Sequence, residues 1–123
     1  MCKLLMSINP EHVDNILAGT KKFEFRKTKC KEKIDSIIIY STFPIMRVVA
    51  EVEVKDIIED TPQAVWSKTR TAAGIDKIFF DRYYNGRDVA VAYVLGEVRK
   101  FAAPKQLADY GVKAAPQSYI YVR

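Results

Sequence analysis

The chain has 123 residues, 49% hydrophobic and 28% charged, with 20 Lys and Arg against 15 Asp and Glu for a formal charge of +5. This length and composition fit one domain over 1–123 with a sizeable core, and exclude a disordered or fibrous chain. No run approaches the roughly 20 apolar residues of a membrane-spanning helix, and Leu4-Leu5-Met6 is too short for a secretory leader, so the cytoplasm is the default compartment.

Lys3 to Ile8 reads as a buried strand closed by Asn9-Pro10. A helix follows, with Asn9 as its cap, Pro10 in its first turn, Val13, Ile16 and Leu17 on one face, and Gly19 as its stop. Lys22 to Arg26 alternates, placing Phe23 and Phe25 opposite Lys22, Glu24 and Arg26, the pattern of a half-buried strand. Lys27 to Lys33 is predicted to be a loop. Ile34 to Tyr40, apolar on both faces at Ile37-Ile38-Ile39, belongs in the middle of a sheet. After a turn at Ser41-Thr42-Phe43-Pro44 comes a long strand from Arg47 to Ile58. Thr61-Pro62 opens a helix around Trp66, which is expected to anchor it, and a third helix begins near Asp76 and carries Phe79, Tyr83 and Tyr84. Val89 to Phe101 is a strand interrupted by Gly96, the mark of a bulge or bend. A helical turn from Pro104 to Tyr110 and a strand from Ser118 to Val122 complete the chain. Long strands with short helices between them predict an α+β domain of about six strands and three helices around a curved sheet or small barrel.

The charge is concentrated. Lys21, Lys22, Arg26, Lys27, Lys29, Lys31 and Lys33 face only Glu24 and Glu32 in the same stretch, so this segment alone carries the whole net charge. Such a block suits an anionic partner, nucleic acid first, because each phosphate contact releases counterions; it also suits an ordinary solvated loop. Cys2, Cys30 and the single His12 have no metal-ligand spacing, so neither a metal nor a Cys-His catalytic pair is expected, nor is any cofactor. His12 is expected to be a surface residue of the first helix.

Within the block, Glu24 and Arg26 share one strand face, so Arg26 can hold the carboxylate and keep it oriented. Lys21 stands at the strand's entry, where an ammonium can meet a phosphate or, if desolvated, act as a base. An exposed ion pair on a strand would have the same spacing and no function. The octet Gly19-Thr20-Lys21-Lys22-Phe23-Glu24-Phe25-Arg26 resembles the signature of the ASCH domain, a branch of the PUA-like superfamily, through Gly19, Lys21, Glu24 and Arg26. Ser7-Ile8-Asn9-Pro10, Ile16-Leu17-Ala18-Gly19 and Tyr40-Ser41-Thr42 resemble the same family. The resemblance implies a small, partly open β-barrel with flanking helices and a cleft lined by the motif residues, which commonly binds RNA or modified nucleic acid.

Three functions follow as expectations. The first is a binding module for RNA or a modified nucleotide, regulatory in role. Lys21, Glu24 and Arg26 line its cleft, Ser41, Thr42, Gln117 and Ser118 its mouth, and Lys27, Lys29, Lys31 and Lys33 form a phosphate-attracting rim, with Arg47 as a further contact if its strand end opens toward the cleft. The second is an enzyme, because one ASCH branch comprises small amidohydrolases acting on N4-acetylcytidine and other members resemble ribonucleases. Lys21 matches the lysine of that branch, but Glu24 stands where its threonine would, and Ser67 to Gly74 lacks the carboxylate expected there. Lys21 and Glu24 would then be the catalytic pair, with Glu24 activating a water. The third is a protein-interaction module using Tyr83, Tyr84, Tyr119 and Tyr121, residues whose spacing equally suits core or barrel wall.

Overall fold

The computed structural model describes residues 2–122. Its first strand, β1 (Lys3–Ile8), buries Leu4, Leu5, Met6 and Ile8. The helix α1 (Pro10–Ala18) starts where the Asn9 side chain accepts a hydrogen bond from the Glu11 amide at 3.3 Å. It ends at Gly19, whose φ of 84° lets its amide turn back to the Ile16 carbonyl. Thr20 and Lys21 then donate their amides to the Asn15 carbonyl, each at 3.1 Å, which fixes the path into β2 (Phe23–Arg26).

The chain continues through β3 (Ser36–Ser41), β4 (Arg47–Asp60), α2 (Pro62–Thr69), a 3₁₀ turn at Arg70–Ala72 and α3 (Lys77–Tyr83). It finishes with β5 (Ala90–Lys105), a second 3₁₀ turn at Leu107–Tyr110 and β6 (Tyr119–Val122). The side chains of Thr61 and Asp76 cap α2 and α3 by accepting from the Ala64 and Phe79 amides.

All six strands form one sheet in the order β2-β5-β4-β3-β1-β6. β1 and β3 run parallel, and every other pairing is antiparallel. The β4–β5 ribbon carries three register shifts, and such bulges increase strand twist and curl the sheet into a half-barrel. One shift falls between the pairs Val52–Val98 and Val54–Leu95, at Gly96 as the sequence predicts. A Cβ there would collide with the Glu53 carboxylate.

Several boundaries differ from expectation: β3 starts at Ser36 instead of Ile34 and takes in Ser41 from the predicted turn, and β4 runs past Ile58 to Asp60. β5 runs past Phe101 to Lys105, and the helical turn begins at Leu107 instead of Pro104. Pro104 is tolerated in the strand because the register jumps from Lys100 to Lys105, and the residues between are absent from the registered pairs with β4.

Inside the curl, Leu4, Met6 and Ile8 pack with Val13 and Ile16 of α1 and with Ile37, Ile39, Val52 and Tyr93. Phe25, Val65, Phe80 and Tyr84 form a second cluster beneath α2 and α3, where Trp66 packs on Phe80 with ring centroids 4.9 Å apart. Leu5, Ile38, Tyr40 and Val48 bury the outer face under Leu107 and Tyr110. The Ile37–Ile39 run is thus covered on both faces, as a central strand must be. No described helix is long and apolar enough to cross a membrane.

The edge strands β2 and β6 do not pair with one another, yet the gap between them is bridged by side chains. Arg26 donates from Nη1 to Ser118 Oγ at 3.1 Å and from Nη2 to the Ser7 carbonyl at 3.0 Å. The Tyr121 hydroxyl accepts from the Lys31 amide at 2.9 Å and the Glu32 amide at 3.3 Å.

Candidate functional site

β2 pairs on one side only, and its free edge borders a cavity of about 150 Å³. The wall is formed by Ile8 and Asn9 at the end of β1, His12 of α1, Lys21, Glu24, Phe25 and Arg26 around β2, Ile75, and Phe79 and Tyr83 of α3. Lys21, Glu24 and Arg26 therefore surround one small space.

Lys21 is only 3% exposed. Its ammonium donates to the Ala73 carbonyl at 3.1 Å and lies 4.7 Å from the centroid of the Phe25 ring. Burial pushes its pKa below the ordinary lysine value, an effect that the Glu24 charge opposes and Arg26 reinforces. Room for this side chain comes from Gly74, where a Cβ would fall 2.6 Å from Lys21 Cγ. The Lys22 amide donates to the Ala72 carbonyl, so residues 72–74 brace the strand entry on that side. Lys21 is thus a desolvated, fixed donor.

Glu24 is 5% exposed. Its Oε2 receives Arg26 Nε at 3.1 Å and Nη2 at 2.9 Å, the pairing expected from their shared strand face. The other oxygen, Oε1, is buried and has no hydrogen-bond partner. With its other contacts to Ser118 and the Ser7 carbonyl, Arg26 has most of its fork engaged by protein and chiefly orients Glu24.

Of the other sequence-derived candidates, Ser118 reaches the site through Arg26. Thr42 donates its amide to the Ile8 carbonyl at 3.0 Å, beside the wall. Ser41 is buried in β3, Gln117 is exposed, and neither lines the cavity. Arg47 donates to its neighbour's carbonyl and lies on a different hollow. The lysine loop divides: Lys27 Nζ lies 5.0 Å from the Tyr83 ring centroid at the cavity. Lys29, Lys31 and Lys33 line a separate groove of about 550 Å³ together with Glu32, Asp35, Glu53 and Asp56. Of the four tyrosines, Tyr84 is buried, its hydroxyl 2.8 Å from the Arg26 carbonyl, while Tyr83, Tyr119 and Tyr121 are half-buried.

His12 corrects the sequence reading. Instead of facing solvent it is half-buried in the cavity wall, with its ring edge-on to Phe79 at 5.5 Å and Nδ1 buried without a partner. Burial is the main cause of a pKa below the ordinary histidine value. Lys21 and Arg26 lower it further, against Glu24 and Glu11. The sequence pattern places Phe79 and Tyr83 on a third helix but not in this wall, and it carries no sign of the part played by the Ala73–Gly74 backbone. Among the described residues, no group of three or more His, Cys, Asp and Glu side chains is arranged to hold a metal ion.

Comparison with known proteins gives a consistent placement. Residues 6–106 match the ASCH domain. Over 121 residues the chain is 26% identical to the large ribosomal subunit protein uL22 of Ureaplasma parvum, and 24% identical to the ATP synthase subunit alpha of the same species. In both cases 98% of the chain is aligned, but it spans only 39% and 15% of those proteins' lengths. The crystal structure of ASCH from Zymomonas mobilis superimposes with a TM-score of 0.88 at 24% identity, covering 98% of this chain and 87% of that one. A Tyr-to-Phe variant of that protein gives the same TM-score at 23% identity, with 90% of its chain covered. These likenesses show the half-barrel fold.

Proposed function

Because the chain belongs to the ASCH domain family, we propose that it is a nucleic-acid-binding module whose Lys21–Glu24 cavity takes the edge of a nucleobase from RNA or a modified nucleotide. The observation that carries this reading is the buried Glu24 Oε1 without a partner, beside the desolvated Lys21 ammonium. A buried carboxylate oxygen left unsatisfied is costly, and a ligand N–H removes that cost. A base edge offers such a donor next to a carbonyl oxygen or ring nitrogen, the group Lys21 can serve. Phe25, Phe79 and Tyr83 supply an apolar aromatic wall of the kind on which bases stack. Lys27 stands at the cavity to meet a backbone phosphate, while Lys29, Lys31 and Lys33, in their mixed-charge groove, contribute long-range attraction.

The matched stretch recurs within proteins of unrelated names, a ribosomal protein and an ATP synthase subunit, which supports a portable module. The cavity wall contains no Ser, Thr or Cys side chain, so it supplies no hydroxyl or thiol nucleophile of the kind the amidohydrolase branch uses.

Fluorescence anisotropy with a labelled single-stranded RNA tests the proposal. Lys21→Met and Glu24→Gln are expected to weaken binding at every salt concentration. Lys27→Gln is expected to reduce the slope of log affinity against log salt by about one. RNA affinity unchanged in both cavity variants would remove the reading.

A further inference from the structure

We propose that His12 determines which base the cavity accepts: His12 Nδ1 and Glu24 Oε1 together accept the two hydrogens of one exocyclic amino group, selecting amino-bearing bases over their oxo counterparts. This rests on the nucleobase reading above and goes beyond it by assigning the class of base and the residue that selects it.

The starting point is a coincidence of place. Among the described residues, His12 Nδ1 and Glu24 Oε1 are the two buried side-chain polar atoms without a hydrogen-bond partner, and both residues belong to the wall of the same small cavity. Unsatisfied buried groups are rare in native proteins and demand a partner. An ionised carboxylate only accepts. An imidazole nitrogen accepts when neutral and when its proton resides on the other nitrogen.

Two features of the site favour that state in His12. It is the third residue of α1, at the positive end of the helix dipole, where the potential disfavours imidazolium. The Lys21 ammonium and the Arg26 guanidinium add to that potential, against Glu24 and Glu11, while burial also opposes charging; Tyr83 is the remaining titratable group of the wall. A lone pair at Nδ1, turned toward this positive surrounding, is the lower-energy arrangement. Edge-on contact with Phe79 holds the ring in place.

The wall thus offers two acceptors, and Lys21 a fixed donor. An amino group flanked by a ring nitrogen or carbonyl, as in cytosine, answers all three. An oxo group in its place turns acceptor lone pairs toward His12 and Glu24, leaving both unpaired.

The test uses the whole chain and fluorescently labelled pentaribonucleotides of cytidine and of uridine, so that phosphate contacts are common to both. The wild type is expected to prefer the cytidine oligomer. His12→Leu, which removes the acceptor, is expected to lower that preference about three- to tenfold, the equivalent of one hydrogen bond. His12→Asn, which restores an acceptor oxygen, is expected to recover part of it. The wild-type preference should also diminish as pH falls below the lowered His12 pKa, where the imidazolium has no lone pair, and the His12→Leu ratio should stay flat across that range. Melting curves establish that both variants fold. A cytidine preference that persists unchanged in a folded His12→Leu protein overturns the role of His12 while leaving the binding function intact. Absence of RNA binding by the wild type overturns both.

Discussion

Substituting Gly74 with alanine separates two effects that usually arrive together. Gly74 has a φ of 71°, a conformation an L-residue adopts at a cost of about 1–2 kcal/mol. Its missing Cβ also makes room for Lys21: the added atom would collide with Lys21 Cβ and lie 2.6 Å from Cγ and 2.9 Å from Cα. The last of these is backbone, so rotating the lysine side chain cannot relieve the contact, and overpacking of this kind adds about 1–3 kcal/mol. The expected loss for Gly74→Ala is therefore about 2–5 kcal/mol. Gly19 is the internal control, since its φ is 84° and nothing lies within 4 Å of its ideal Cβ. Gly19→Ala pays the conformational cost alone, about 1–2 kcal/mol. At about 4 °C per kcal/mol for a domain of this size, Tm should fall by about 8–20 °C for Gly74→Ala and about 4–8 °C for Gly19→Ala. Calorimetry measures both, and anisotropy at a temperature where both variants remain folded compares their RNA affinity. Gly74→Ala should weaken binding as Lys21→Met does, and Gly19→Ala should not. Equal losses of Tm, or wild-type RNA affinity in a folded Gly74→Ala protein, would refute the claim that Gly74 exists to seat Lys21.

Three further outcomes are expected. Arg26→Gln strands the buried Glu24 carboxylate and should cost about 3–5 kcal/mol in urea denaturation; Arg26→Lys should recover only part, because one ammonium cannot serve Glu24, Ser118 and the Ser7 carbonyl together. Lys21 has a lowered pKa when folded, so between that value and 10.5 the unfolded chain binds more protons than the native one. Stability should consequently rise with pH through that window relative to Lys21→Met, and a constant or falling difference would contradict the burial of a charged lysine. Tyr121→Phe removes the acceptor for the Lys31 and Glu32 amides and should cost about 1 kcal/mol while speeding hydrogen exchange at those two amides; unchanged exchange rates would mean that the hydroxyl does not restrain the loop.

Features governed by neighbours in sequence were the ones most readily legible. Asn9, Pro10 and Gly19 bound α1, the Ile37–Ile39 run declared a strand covered on both faces, Gly96 marked a bulge, and the two-residue spacing of Glu24 and Arg26 foretold their ion pair. The cavity needed three dimensions. His12 read as a solvated helix residue because its partner Phe79 comes from α3, far along the chain. The acceptor for Lys21 is the Ala73 carbonyl, a group every residue possesses and which therefore leaves no signature in sequence. The lysine run looked like a single rim, but the loop turns between Lys27 and Lys29, following Tyr93 and Tyr121, whose hydroxyls accept from the Cys30 and Lys31 amides.

The clasp between the two ends of the sheet bears on how molecules of this protein behave toward one another. β2 and β6 are each four residues long and each pairs on one side only, so both carry a row of backbone donors and acceptors open to another chain. Strands in this position template edge-to-edge aggregation unless they are kept short, twisted away or covered. Both edges here are short, and Arg26 at the end of β2 ties that end to Ser118, just before β6, and to the Ser7 carbonyl of β1. The residue that holds the Glu24 carboxylate is thereby also the one that links the two open ends of the sheet.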